Sequence, residues 1–233
     1  MTASAVSNTL TARQLCCYRS HRPLFDPVAF ELTSGTGLYV GGPNGSGKTT
    51  LLRCLVGLSD NYEGEVCWGG LDTRQSAQAF RSELLYLGHL PACNTQLTPL
   101  ENLEWWSALH AQHMLADGRE AALARCAAAL GELGLAAYLD TPCYRLSAGQ
   151  LRRVALARLA LSRHALWVLD EPFTAIDSDG VLRLQQRMSE HLAAGNTLVV
   201  TSHQPLIIDA LQQLNLQPLA HGAGARTPSE GPG

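Results

Sequence analysis

Charge is scarce in this chain of 233 residues: 16% are Asp, Glu, Lys or Arg, and the formal balance at pH 7 is -3. With a pI near 6.2, the overall basic footprint that nucleic-acid binding leaves is missing, and no nucleic-acid partner is expected; only a local patch could serve one. Paired cysteine motifs are also missing. The seven cysteines, at 16, 17, 54, 67, 93, 126 and 143, form no CxxC and no zinc spacing, so they read as small buried hydrophobes in a reducing compartment. No apolar run is long enough to cross a bilayer: the longest, VALARLALSRHALWVL, is interrupted by Arg158, Arg163 and His164. The opening MTASAVSNTLTARQLCC has no basic region followed by an apolar run, so no secretory leader is expected. Neither a lipidation motif nor a strongly basic amphipathic helix is present, which argues against direct insertion into lipid. Any work at a membrane would need another polypeptide to do the spanning.

What is present is a core former. Hydrophobic residues make up 46% of the chain, enough to bury one domain, with or without a small lobe. No internal repeat is visible. LFDPVAFEL and GTGLYVGG have the composition of strands, and the second runs into GPNGSGKTTLLRCLVGL, a loop followed by a helix ending at Gly57. EGEVCWGG reads as an exposed strand and turn, and LLYLGH as a short strand ending at His89. A helix is expected over 97–115, with Pro99 near its first turn and Glu101 and Glu104 where the dipole favours them. REAALARCAAALGEL predicts a second helix that stops near Gly134. ALWVLDEP is an uninterrupted apolar strand of the kind buried on both faces, followed by helix DGVLRLQQRMSEHLAAG and strand NTLVVTSH. Strands alternating with helices predict an α/β fold with an open, mainly parallel sheet and ligands at the carboxyl ends of its strands. The small, polar stretch 217–233 is expected to be disordered.

Residues 42–49 match G-x-x-x-x-G-K-[ST] between a strand and a helix. Backbone N–H groups of Gly42, Pro43's neighbours, Asn44, Gly45, Ser46 and Gly47 can wrap phosphates; Lys48 can reach the β- and γ-phosphates, and the Thr49 hydroxyl, with Thr50 after it, can meet a bound Mg2+. Asp170 and Glu171 end an apolar strand, where carboxylates are poorly solvated and need a partner. Beside a phosphate loop, Asp170 can hold Mg2+ and Glu171 can orient or deprotonate the attacking water. His203, at the end of NTLVVTSH, is either structural or a γ-phosphate contact. LSAGQLRRVALARLAL, 146–161, opens like a second anion-binding helix start, since small Ser147, Ala148 and Gly149 let backbone N–H groups approach a ligand. DSDG at Asp177 suggests fragments of a calcium loop or a GTPase motif, but the ligand series is incomplete and no NKxD follows. His110 and His113, near Trp105 and Trp106, fit an amphipathic helix face better than a metal or haem site.

With GPNGSGKTT, LSAGQLRR, WVLDEPFTAID and TSHQ in this order, the sequence resembles ABC-type ATPases over roughly residues 10 to 215. Within that family YLGH followed by TQLTPLENL, the short chain and SHQPL are most similar to the haem-exporter branch that serves cytochrome c maturation. The resemblance implies a P-loop NTPase core with a small antiparallel β lobe and a helical signature subdomain. It would form one domain over 1–216, with the helical part inserted at about 92–163. It also implies ATP and Mg2+ as ligands, and a head-to-tail pair in which Ser147 and Gly149 close over the nucleotide held by the other copy's Lys48. Asp177 would lie at that shared interface, and Tyr18 would stack on adenine. Integral membrane exporter subunits would be the partners, on the cytoplasmic face of the inner membrane. They would meet the region after His89 and the helix of Trp105 and Trp106, either of which could instead be core. ABC ATPases usually place a glutamine after LLYLGH, where this chain has Leu90; His89 or Gln96 takes its place, or the contact is lost. The competing reading is a soluble ABC ATPase acting on nucleic acid or ribosomes, although the second cassette or long coiled coil of such proteins is missing. A small-molecule kinase would have no use for LSAGQ.

Overall fold

A computed structural model describes residues 8–110 and 118–219. Its first layer is antiparallel. Strand β1 (Leu10–Arg19) pairs with β2 (Arg22–Pro23), β3 (Val28–Leu32) and β5 (Tyr62–Trp68), and β6 (Leu71–Asp72) extends the sheet beyond β5. The register of β1 slips between Ala12 and Cys16, and Gln14 takes a φ of 47°, which marks a β-bulge. Two readings of the sequence need correction here. EGEVCWGG is exposed on one side only: Glu63, Gly64 and Glu65 are exposed, but Val66 and Trp68 turn into the core. LFDPVAFEL is not one strand: the chain bends at 24–26, buries Phe25 and starts β3 at Val28.

The second layer is a parallel sheet in the order β10-β4-β9-β8-β7, built from β4 (Gly37–Gly41), β7 (Leu84–Leu87), β8 (Leu166–Leu169), β9 (Thr197–Thr201) and β10 (Leu211–Asn215). Every residue of β8 and β9 is buried, as expected of strands covered on both faces. Side chains alternate between two cores. Leu166, Val168 and Val199 face the antiparallel lobe, together with α1 (Lys48–Leu55) and α2 (Ala77–Ser82). Trp167, Leu169, Leu198 and Val200 face the other core, formed with α3 (Pro99–His110), α4 (Arg119–Glu132), α5 (Ala148–Leu161) and α6 (Ser178–Ala193).

Because β4, β8 and β9 are adjacent and parallel, their carboxyl ends open at one sheet edge. The segments that follow them, starting at Gly42, Asp170 and Ser202, therefore meet there. Two strands end earlier than predicted: β7 stops at Leu87, leaving Gly88, His89 and Leu90 in a bend, and β9 stops at Thr201, two residues before His203. Helix α3 is described as far as His110; the predicted continuation to 115 and His113 fall outside the described residues, as do residues 220–233 of the expected tail.

Candidate functional site

The loop after β4 crosses a tightly packed position. Gly42 has a φ of 134°, and a methyl group there would come within 2.5 Å of the Leu216 carbonyl and 2.8 Å of Ser46 Oγ; no L side chain fits. The loop delivers α1 with Lys48 and Thr49 at its start, where backbone N–H groups lack helical partners. Lys48 is 8% exposed and folds back, its Nζ donating to the carbonyls of Gly42 (2.8 Å) and Pro43 (3.3 Å). Ser46 Oγ is buried with no partner, whereas Thr49, Asn44 and Gly45 face solvent.

Across the sheet edge, Asp170 is 1% exposed and is held by Thr201, whose Oγ1 donates to its Oδ1 (2.9 Å); its Oδ2 is buried without a partner. A buried carboxylate oxygen without a donor is costly, and a divalent cation answers that cost. The same Thr201 Oγ1 accepts from the Glu171 N–H (2.8 Å). Glu171 is a non-glycine residue at a φ of 48°, a conformation that costs about 1–2 kcal/mol and persists only where neighbours impose it. His203 Nε2 stands 3.4 Å from Glu171 Oε1, close enough for an ion pair but without hydrogen-bond alignment. Asp170, Glu171 and His203 therefore form one group at the same carboxyl end of the sheet as the loop, and the chemistry of the two together fits a nucleoside triphosphate with Mg2+: a lysine ammonium, helix-start N–H groups, an exposed threonine hydroxyl and a carboxylate with an orphaned oxygen.

The other expected residues lie in separate places. Ser147 caps α5 in a reciprocal box: its Oγ accepts from Gln150 N (3.2 Å) while Gln150 Oε1 accepts from Ser147 N (2.8 Å). Gly149 lies against the chain after Glu171, where a methyl group would come within 2.8 Å of the Ala175 carbonyl oxygen. Asp177 Oδ1 accepts from Gly180 N (2.8 Å), capping α6. Tyr18 lines an open cleft with Ser20, His21, Asn61 and Glu63, and its hydrogen bond with Glu63 pushes its phenol up to about 12. Of the two candidates for the missing glutamine contact, His89 is tied through its carbonyl to the Asp170–Glu171 turn by way of Arg152. Gln96 belongs to a loop whose Thr95 and Leu97 carbonyls accept from Tyr144 and Cys143, on the helical side.

Two residues of this site escaped the sequence reading. One is Thr201, which serves both carboxylate residues. The other is Arg152, which is 4% exposed and whose guanidinium donates to the carbonyls of Gly88, Asp170 and Glu171. Burial pushes its pKa down, and the charges of Asp170 and Glu171 oppose that shift. An arginine on the apolar face of a core helix was the available signal, since a buried charge must find partners. All seven cysteines are free, and Trp106 is 4% exposed and stacks on His110 while Trp105 is 62% exposed.

The ABC transporter family profile matches residues 25–174. The cytochrome c biogenesis ATP-binding export protein CcmA of Escherichia coli K12 is 49% identical over 197 residues, 84% of this chain and 90% of that protein. Two solved structures share the fold. One is the dimeric post-hydrolysis state of the ATP-binding cassette MJ0796 bound to ADP and Pi, with a TM-score of 0.72 at 24% identity over 84% of this chain and 88% of that one. The other is a bacterial Atm1-family ABC exporter with ATP bound, with a TM-score of 0.75 at 20% identity over 93% of this chain and 39% of that one.

Proposed function

This chain belongs to the ABC transporter family, and from that premise we propose that it is the ATP-hydrolysing subunit of an exporter serving cytochrome c biogenesis, with haem as the cargo of the assembled transporter. Residues 1–216 act as one ATPase domain with the helical part, about 92–163, inserted. Lys48 and the backbone N–H groups of Gly42 and of Asn44 to Thr50 bind the phosphates, and Tyr18 stacks on adenine. Thr49 and Asp170 hold Mg2+, which supplies charge neutralisation on the phosphate oxygens. Glu171 accepts a proton from the attacking water, and His203 stands beside it to meet the γ-phosphate. Two copies pair head to tail, so that Ser147 and Gly149 of one cover the nucleotide of the other, with Asp177 at the shared face. That arrangement gives the exposed helix start at Ser147 an anion to bind. The pair works on the cytoplasmic face of the inner membrane, docked on integral membrane subunits.

The observation that carries this reading is the pairing at one sheet edge of an orphaned, buried Asp170 oxygen with Glu171 held at positive φ. Glu171→Gln tests it. The amide fills the same space but cannot take the proton, so ATP binding should persist, turnover should fall by about two orders of magnitude or more, and light scattering should show a dimer with ATP. Adding Ser147→Arg should return that dimer to monomer. Wild-type turnover in Glu171→Gln would remove the base assignment, and an ATP-insensitive monomer would remove the pairing.

A further inference from the structure

Strands β7 and β8 stay in register up to Leu87 and Leu169, and the last rung is the Asp170 N–H donating to the Leu87 carbonyl (2.8 Å). Beyond it the two chains lose their ladder, and a side chain from a third element takes over. Arg152 Nη1 donates to the carbonyls of Gly88 (2.6 Å) and His89 (3.4 Å), while Nη2 donates to those of Asp170 (2.8 Å) and Glu171 (2.9 Å). We infer that Arg152 is a positioning residue for hydrolysis: its guanidinium ties the bend after β7 to the Asp170–Glu171 turn and holds Glu171 in its left-handed backbone conformation. This role rests on Glu171 acting in hydrolysis.

The arrangement asks for arginine specifically. Its planar fork presents two donors to each of two chain segments, whereas the three donors of a lysine ammonium radiate from one atom and cannot span both. Glu171 is fixed from two sides, its N–H by Thr201 of β9 and its C=O by Arg152 of α5. Neither contact uses its carboxylate, which stays available for chemistry. A second arginine of the same helix holds the same bend farther along, since Arg158 Nη2 donates to the Ala92 carbonyl (2.9 Å). Leu90, 77% exposed, lies between the two anchored points. Arg152 also sits five residues after Ser147, the cap of α5. Through Arg152, α5 and the bend carrying Leu90 are both bonded to the Glu171 backbone.

The test compares Arg152→Lys with Arg158→Lys, both keeping charge and stem while removing the fork. In Arg152→Lys, amide exchange at Asp170 and Glu171 should speed up about tenfold or more, kcat should fall about tenfold or more, and KM and the affinity for a fluorescent ATP analogue should stay within about threefold. Arg158→Lys should leave exchange at Asp170 and Glu171 unchanged. Unchanged exchange there in a folded Arg152→Lys protein overturns the inference, as does equal loosening in both variants, which would reduce Arg152 to general helix packing. A loss confined to KM overturns it as well. Exchange is read without turnover, so failure of the Glu171 base assignment, seen with Glu171→Gln, remains distinguishable from failure of this coupling.

Discussion

At the scale of single residues, the candidate nucleotide site is a set of charges and dipoles, some paired within one loop and others across distant parts of the chain. Lys48 is of the first kind. Its ammonium is buried and satisfied by two carbonyls of its own loop, so the loop is held in shape by the group proposed to meet the phosphates. Lys48→Ala should weaken ATP binding about tenfold to a hundredfold, the worth of one charged hydrogen bond to phosphate, with turnover falling in step. Nucleotide titration followed by fluorescence measures this, and unchanged affinity would remove the assignment of the loop. Lys48, Thr49, Asp170 and Glu171 were legible in the sequence because their chemistry is local: a fixed spacing of glycines, or carboxylates ending an apolar run. Thr201 and Arg152 were not, because what they do depends on acceptors 31 and 64 residues away that only the fold brings near.

At the scale of elements, burial decided what could be read. Strands β8 and β9 were legible as continuous apolar runs. Strand β1 was not, because its bulge breaks the alternation of buried and exposed positions, and β10 was not, because as an edge strand it leaves Gln212 and Gln213 exposed. The seam where α6 crosses β8 and β9 holds a group with a pH consequence. His191 stacks on Trp167 at 3.8 Å between ring centroids, and its Nε2 lies 3.1 Å from the Thr197 carbonyl. Burial lowers its pKa to about 4. The unfolded chain takes up this proton near pH 6.5 and the folded chain only near 4, so stability contributed by neutral His191 is intact above about 6.5 and is lost progressively as pH falls to 4. The loss amounts to roughly 3 kcal/mol. His191→Gln should therefore melt with a shallower dependence on pH between 6.5 and 4 than the wild type. Parallel melting curves for the two proteins across that window would count against the assignment.

At the scale of the whole molecule, the question is how an ABC ATPase with no helix long and apolar enough to cross a membrane among its described residues would reach the exporter proposed for it. Protein contact is the expected route, and the exposed apolar side chains suggest where. Leu90, Trp105 and Leu109 are 77%, 62% and 54% exposed, one on the bend after β7 and two on α3, and aromatic side chains are frequent interface anchors. The two adjacent tryptophans looked alike in the sequence because helical spacing alone does not say which side of α3 faces the core; the structure puts Trp106 inside and leaves Trp105 out. Leu90→Glu and Trp105→Glu should therefore leave melting temperature and ATP affinity near wild type, as surface substitutions do, while abolishing co-fractionation with the membrane subunits. Trp106→Glu should instead destabilise the helical side, because it removes a large buried ring that packs on His110 and His164 and puts a carboxylate into the core. Cell fractionation with and without co-expressed membrane subunits separates the possibilities. Firm membrane attachment of the chain in cells lacking those subunits would defeat docking by protein contact, and undiminished co-fractionation of the Leu90→Glu, Trp105→Glu double variant would move the interface elsewhere. Because the bend carrying Leu90 is tied to Glu171 through Arg152, the double variant should also lose any stimulation of ATP turnover by the membrane subunits while keeping its basal rate.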